Sequence, residues 1–415
     1  MKEGAFELRG RALWVVLGCT VCQMGLGFGY AIGALAPEIL AETGWSRASF
    51  SLARAPQLWV IALASPLVGT LVLRHGGRGV LLVSTALLGA GYVALAGMAE
   101  LWQLTALIVV IGVALTGVGD IAAGAVAATW VARSRGLALG LVYTGSNLGG
   151  ALMTTLAGLV LAVGSWRHAL AAIGAFGLLV MLPIAWATVR DRAGDAAGPE
   201  PEADARAAPA WVGGAGDLDT RAALRTRSFW ILLFTLLAFW LYFLALLDHL
   251  VLFLTGAGVE GARGHFRNAI LLGMVSKISF GWIADRLHAK PALLLDYGLL
   301  AGSSLVLLWL PQPALVWVFV ASFGFATAAR DVVTPLAVMH CFGVRHLAQI
   351  YGLLMLTLLP GGTLGPWLAG FAHDRTGSYA PAFQLFALLN AAAFVLLFLV
   401  RDERGAINRE PSAAA

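Results

Sequence analysis

The stretch Ala269-Ile-Leu-Leu-Gly-Met-Val-Ser-Lys277-Ile-Ser-Phe-Gly281-Trp-Ile-Ala284 would lie comfortably in a bilayer but for the lysine at its middle. The turn Asp285-Arg-Leu-His-Ala-Lys290 follows at once. An ionisable side chain is costly in hydrocarbon, so one kept inside a spanning helix usually marks a route for ions or substrate. Lys277 is therefore the first residue to explain.

The rest of the chain supplies the membrane context. It has 415 residues, of which 60% are hydrophobic and only 12% charged, with a mean hydropathy of +0.84. A water-soluble domain of this size needs far more charge to cover its surface. Continuous apolar runs recur along almost the whole length, which points to spanning helices. A β-barrel would alternate instead. The 50 glycines fit close helix–helix approach. The isoelectric point near 9.4 suggests no nucleic-acid partner, because the basic residues are spread over short loops. Cys19, Cys22 and Cys341 lie in apolar segments, so packing explains them better than redox chemistry. No signal-peptide cleavage pattern closes the first apolar run, and it is expected to stay in the membrane.

Twelve spans are predicted, at 12–36, 50–73, 79–98, 102–131, 136–163, 167–189, 228–255, 265–284, 291–310, 314–340, 346–370 and 380–400. Nineteen Lys and Arg residues fall on one set of loops, from Lys2, Arg9 and Arg11 to Arg401, Arg404 and Arg409. The other set has only Arg47, Arg167, Arg263, Arg267 and Arg375. That bias places both termini in the cytoplasm. The expected domains are a six-helix bundle over 1–189, a flexible cytoplasmic linker over 190–227, a second bundle over 228–401 and a tail over 402–415. The linker is rich in Ala, Gly, Pro and acidic residues, a composition that stays flexible. Two such halves are common in secondary transporters, with substrate near the midplane between them. A weak repeat supports the division. Gly69-Thr-Leu-Val-Leu-Arg74-His-Gly76-Gly-Arg78 follows the second span, and Gly281-Trp-Ile-Ala-Asp285-Arg286-Leu-His-Ala-Lys290 follows the eighth.

These two copies resemble the loop motif G-x-x-x-D-R-x-G-R-[RK] of the major facilitator superfamily. The second copy keeps Gly281, Asp285, Arg286 and Lys290. The first keeps Gly69, Arg74, Gly76 and Arg78 but has Leu73 where the acid belongs. The resemblance implies an all-α fold of twelve transmembrane helices in two bundles and a cytoplasmic gate at these loops, with Arg345 as a partner for Asp285. Within the superfamily the chain looks like the monocarboxylate porter and oxalate–formate antiporter branch. The residues that carry this are Gly44-Trp45-Ser46-Arg47-Ala48, Ser134-Arg135-Gly136-Leu-Ala-Leu-Gly140, and Phe342-Gly343-x-Arg345 with Ile350-Tyr351-Gly352. In that branch an arginine four residues before the motif glycine grips the substrate carboxylate, and here the position is Lys277. Lys keeps the charge but loses the forked donor geometry. Proton-coupled members often have an aspartate one turn earlier, where this chain has Gly273.

Six charged residues were placed within these spans by this reading: Arg54, Asp120, Asp248, Lys277, Arg330 and Asp331, three of each sign. Mutual pairing is the plain account of such a set. Arg330 and Asp331 are neighbours, about 100° apart around a helix, and are not expected to satisfy each other fully. Arg330 is a second candidate substrate cation. Asp120 is read either as a proton-coupling carboxylate or as a fixed partner of Arg330 or Lys277. His249, beside Asp248, could carry a proton near neutral pH or bond within a gate. Arg54, near a span end, fits snorkelling to the interface. Tyr30, Tyr143, Asn147 and Tyr351 could each give a substrate hydrogen bond, although lone polar residues more often bond across helices. Pro360-Gly361-Gly362 is a candidate hinge in the eleventh span.

No phosphate loop or metal-ligand spacing is present in the sequence, so neither ATP, a cofactor nor a metal is expected, and no enzyme chemistry. The expected function is secondary transport of a small organic anion, a carboxylate held by Lys277 and Arg330, with or without protons. It would act as a monomer in the bacterial inner membrane. Anion exchange, or export of drugs or metabolites on the same fold, are the alternatives.

Overall fold

The computed structural model describes residues 9–45, 47–131, 134–191, 217–310 and 312–404. Lys2, Arg133, Arg192, Arg206 and Arg409 of the charge-bias argument, and most of the linker, lie outside them. In hydrocarbon every backbone N–H and C=O must find a partner within the chain, and a helix does this locally. The apolar runs accordingly form twelve long helical stretches. They are α1 Gly10–Ala34, α2 Leu52–His75, α3 Gly77–Ala96, α4 Leu101–Trp130 and α6 Trp166–Thr188, with α5 Arg135–Leu161 between. The second series is α7 Arg227–Gly256, α8 Ala262–Leu287, α9 Ala289–Leu307, α10 Pro313–Phe342, α11 Leu347–Thr376 and α12 Ala380–Leu397. Ten of the twelve pass as bilayer-crossing by length and apolarity. The other two, α5 and α8, are long but more polar.

Several spans read as unbroken are interrupted. α4 breaks at Gly119, which is extended (φ −75°, ψ −168°), so Asp120 opens a new helical segment instead of sitting in mid-helix. α1 tightens to a 3₁₀ turn at Met24–Gly27. α6 contains a π turn at Gly177–Met181, next to Pro183, whose missing N–H leaves a carbonyl one turn back without its helical donor. α11 has a 3₁₀ turn at Met355–Thr357. The irregularity thus precedes the Pro360-Gly-Gly run by several residues, for the same reason.

The chain forms two compact units, Met1–Ala203 and Asp204–Ala415. Within each, the same helices pack together: first on fifth, second on fourth, third on fourth, third on sixth, and first on sixth. The correspondence extends to single atoms. Arg78 Nη2 donates to the Trp186 carbonyl at 3.2 Å, and Lys290 Nζ donates to the Phe398 carbonyl at 2.9 Å. The offsets, 290 minus 78 and 398 minus 186, are both 212. Glycines 149 and 361 share that offset and meet the first helix of their own unit, where any side chain would overlap the Met24 carbonyl or Trp240. Gly76 and position 288 share it too. Gly76 has φ 81° and ψ 161°, and His288 adopts φ 72° and ψ 165°. It is the one non-glycine with positive φ among the described residues. That region is essentially reserved for glycine, so the repeat holds His288 in a conformation it would not choose.

The end of the segment read as linker is built into the second unit. Thr220–Leu224 is helical, and the Asp217 carboxylate accepts from the Val344 and Arg345 amides at 3.0 and 2.9 Å. In the first unit Asp191 plays a similar part, accepting from the Gly77 and Arg78 amides at 2.9 and 3.0 Å. A carboxylate at a helix start is favoured by the dipole and by the unpaired amides there. The turn that lacks an acid at Leu73 thus receives one from the end of α6. The tail is also anchored: Glu403 is buried, and accepts from the Ser228 hydroxyl at 2.6 Å.

Candidate functional site

The second unit holds a cluster of ionised side chains on α8 and α10. Lys277 and Arg330 are 4% and 5% exposed. Lys277 Nζ lies 2.9 Å from Asp331 Oδ2, and Arg330 Nη2 pairs with the other oxygen, Oδ1. One carboxylate therefore bridges two cations. Arg330 and Asp331 meet although their Cα–Cβ vectors diverge, because the long guanidinium arm turns back to its neighbour; as expected they do not satisfy each other fully, since Asp331 is shared with Lys277. The arm is held by more than charge. Its Cζ sits 4.5 Å from the Trp240 ring centroid and 4.8 Å from that of Phe239, within cation–π range. Nη1 approaches the Tyr351 hydroxyl at 3.5 Å. Asp331 is the most accessible of the three side chains.

The sequence reading missed Asp296. It lies six residues into the predicted ninth span, on α9. It is 1% exposed, its Oδ1 has no hydrogen-bond partner among the described residues, and the charges it feels are those of Arg330 and Asp331. The intramembrane charges therefore do not balance three against three. The signal was available, since an aspartate inside an apolar run costs the same whatever its distance from the end of the run.

Gly273, one turn before Lys277, cannot host the acid common in proton-coupled relatives. A Cβ there would crowd Ala328 and approach the Gly324 carbonyl, because α8 and α10 pack closely at that point. The carboxylates come instead from the neighbouring helices, as Asp331 and Asp296.

In the first unit the polar centre is milder. Gln23 Nε2 donates to Asp120 Oδ1 at 2.5 Å, and the Tyr143 hydroxyl donates to the Asp120 carbonyl at 3.1 Å. The expected pairing of Lys277 and Arg330 is met by Asp331, while Asp120 has a neutral partner on its own unit. Asn147 is half-buried and receives a long bond from Ser146 at 3.3 Å. Tyr30 is 58% exposed, and its ring lies over Gly150.

Asp248 is exposed on α7. His249 bonds within its own unit: Nε2 meets the Pro366 carbonyl at 3.1 Å and Nδ1 the Tyr379 hydroxyl at 3.3 Å. That is a cross-helix tie. Arg54 stacks near Phe50. At the repeat loops Gly69 and Gly281 are buried, Arg74 is exposed and Asp285 is half-buried. Arg286 lies over the Trp282 ring at 4.2 Å. Cys19, Cys22 and Cys341 are buried free thiols.

These features are those of a membrane carrier, and comparison with known proteins agrees. Residues 17–329 match the family model of the Major Facilitator Superfamily. The chain belongs to that superfamily. Among characterised relatives, human monocarboxylate transporter 11 is 29% identical over 417 residues, covering 94% of this chain and 83% of the relative. Rat monocarboxylate transporter 12 is 28% identical over 287 residues, covering 62% and 58%. The fold matches the E. coli fucose:proton symporter in its outward conformation, with a TM-score of 0.66 at 14% identity over 93% of this chain and 99% of that one. It also matches the human organic anion transporter MFSD10, with a TM-score of 0.66 at 15% identity over 94% and 100%. The chain is thus a multi-pass membrane transporter related to the monocarboxylate transporters, and not an enzyme.

Proposed function

We propose that this chain carries a small organic anion, a monocarboxylate, across a bacterial inner membrane by alternating access, with both termini cytoplasmic. The observation that carries the reading is Lys277, almost fully buried in α8 and held there in an ion pair with the Asp331 carboxylate. A substrate carboxylate would replace Asp331 on Lys277 while Asp331 keeps Arg330, so the charge on Lys277 is never left bare. The names of the relatives support this substrate class, and the Lys and Arg bias of the loops supports the orientation. The loops around Arg78 and Lys290, each tied back to the sixth helix of its unit, are assigned to the cytoplasmic gate, with Asp285, Arg286 and Arg345. Arg330 and Tyr351 are assigned to the site. Tyr30, Tyr143 and Asn147, on α1 and α5, are assigned to substrate binding from the first unit.

The test is uptake into proteoliposomes of radiolabelled acetate, lactate, pyruvate, oxalate and succinate by wild type and Lys277→Gln. Uptake of a monocarboxylate that the variant loses is the expected result. Uptake of none of these acids, or uptake indifferent to the substitution, leaves export of apolar metabolites as the better reading.

A further inference from the structure

We propose that Asp296 is the proton-carrying group of this transporter, so that one proton travels with each monoanion. The inference rests on the monocarboxylate reading and adds the residue of this chain that carries the coupled proton. Three observations converge on it. Asp296 is buried, and one carboxylate oxygen has no donor. An ionised carboxylate needs several donors to replace water, whereas a neutral one loses little by having a bare oxygen. Asp331 cannot readily take the role, because both its oxygens are held by cations. And Asp296 is placed to feel the same site, on the helix that packs against α10 and within electrostatic range of Arg330 and Asp331.

The surroundings limit the charge count. α9 packs on α8, α10 and α12, and α7 reaches it through the Tyr242 hydroxyl, 3.0 Å from the Ser303 hydroxyl. α8 contributes Lys277 through its pair with Asp331. α10 contributes Arg330 and Asp331. α12 has no ionisable residue in Ala380–Leu397, and Tyr297 is the neighbour on α9 itself. With Asp296 ionised, Lys277, Arg330, Asp331 and Asp296 sum to zero, and a bound monocarboxylate would leave a net buried negative charge. With a proton on Asp296 the cluster is +1 and the monoanion neutralises it. Proton and anion therefore enter together and leave together, and the loaded carrier crosses the membrane with no net charge in this cluster. A dicarboxylate would leave the loaded cluster negative, which gives the site a preference for monoacids.

The coupling predicts what Asp296→Asn does. The variant is fixed at +1 and takes the anion without a proton, so the driving force changes as well as the rate. For one-to-one symport a gradient of one pH unit supports about tenfold accumulation. Wild type should show it and be indifferent to membrane potential. Asp296→Asn should lose it and respond instead to an inside-positive potential, about tenfold per 59 mV. Asp296→Glu, which keeps an acid, should restore the pH-driven component. A variant that is monodisperse in detergent yet keeps wild-type pH drive overturns the proposal, as does a loss of rate with no change in driving force. An infrared difference spectrum of purified protein between acid and alkaline buffer separates this from the substrate question. A protonated-carboxyl band present in wild type and missing in Asp296→Asn supports the assignment even if no acid of the panel is carried. An unchanged band overturns it.

Discussion

The two units repeat one frame and fill it with different chemistry. At the polar centre of the first, Asp120 accepts from the neutral Gln23. At nearly the matching level of the second, Asp331 is gripped by Lys277 and Arg330. At the opposite end the contrast recurs. Arg167, at the start of α6, pairs with Glu42 at 3.1 Å and donates to the Ala96 and Met98 carbonyls. The residue 212 positions on, Tyr379, instead stacks on Phe383 and meets His249. Backbone pairings, glycine contacts and the terminal ties of Arg78 and Lys290 survived the divergence, and the side chains in the interior did not. Conformation depends on the frame, whereas selectivity depends on a few interior positions that can change without disturbing it.

Five substitutions test this contrast. The largest effect is expected from Lys277→Gln, with proteoliposome uptake down by about 100-fold or more, because an anion would enter a site without its principal cation. Retained uptake would move the site elsewhere. Next is Asp331→Asn. It leaves two buried cations without their shared carboxylate and should destabilise by roughly 3–5 kcal/mol, read as a large fall in detergent melting temperature. Asp120→Asn should cost only about 1 kcal/mol, since its partner is an amide that can bond to another amide. A fall as large as that of Asp331→Asn would erase the contrast between the units. The smallest and opposite effect belongs to His288→Gly, which relieves a backbone conformation costing about 1–3 kcal/mol and should raise the melting temperature by a few degrees. Gly76→Ala, at the matching place, should lower it.

Much of this was legible in the sequence. The spans follow from apolar length alone, and Lys277 stands out because its environment is uniform. The repeat loops were visible as motifs, yet their fixed register emerges only when Trp186 and Phe398 are seen to accept the same bond. What escaped depended on reach and on partners far away in the chain. Arg330 and Asp331 diverge by helical geometry, and only the length of the guanidinium arm lets them meet. Asp191 lies more than a hundred residues from the turn it caps. The break at Gly119 was hidden because an apolar run reads alike whether its backbone is continuous or not. Asp296 is the exception, a residue the sequence displayed openly inside an apolar run.

One consequence of the bridging carboxylate concerns speed. Asp331 is a competitor tethered inside the site, so its effective concentration is set by the tether and not by the solution. Substrate must displace it on the way in and is helped off by it on the way out. A carrier built this way gives up affinity for rapid release. It suits an anion that is plentiful and must be moved quickly, not one that must be scavenged.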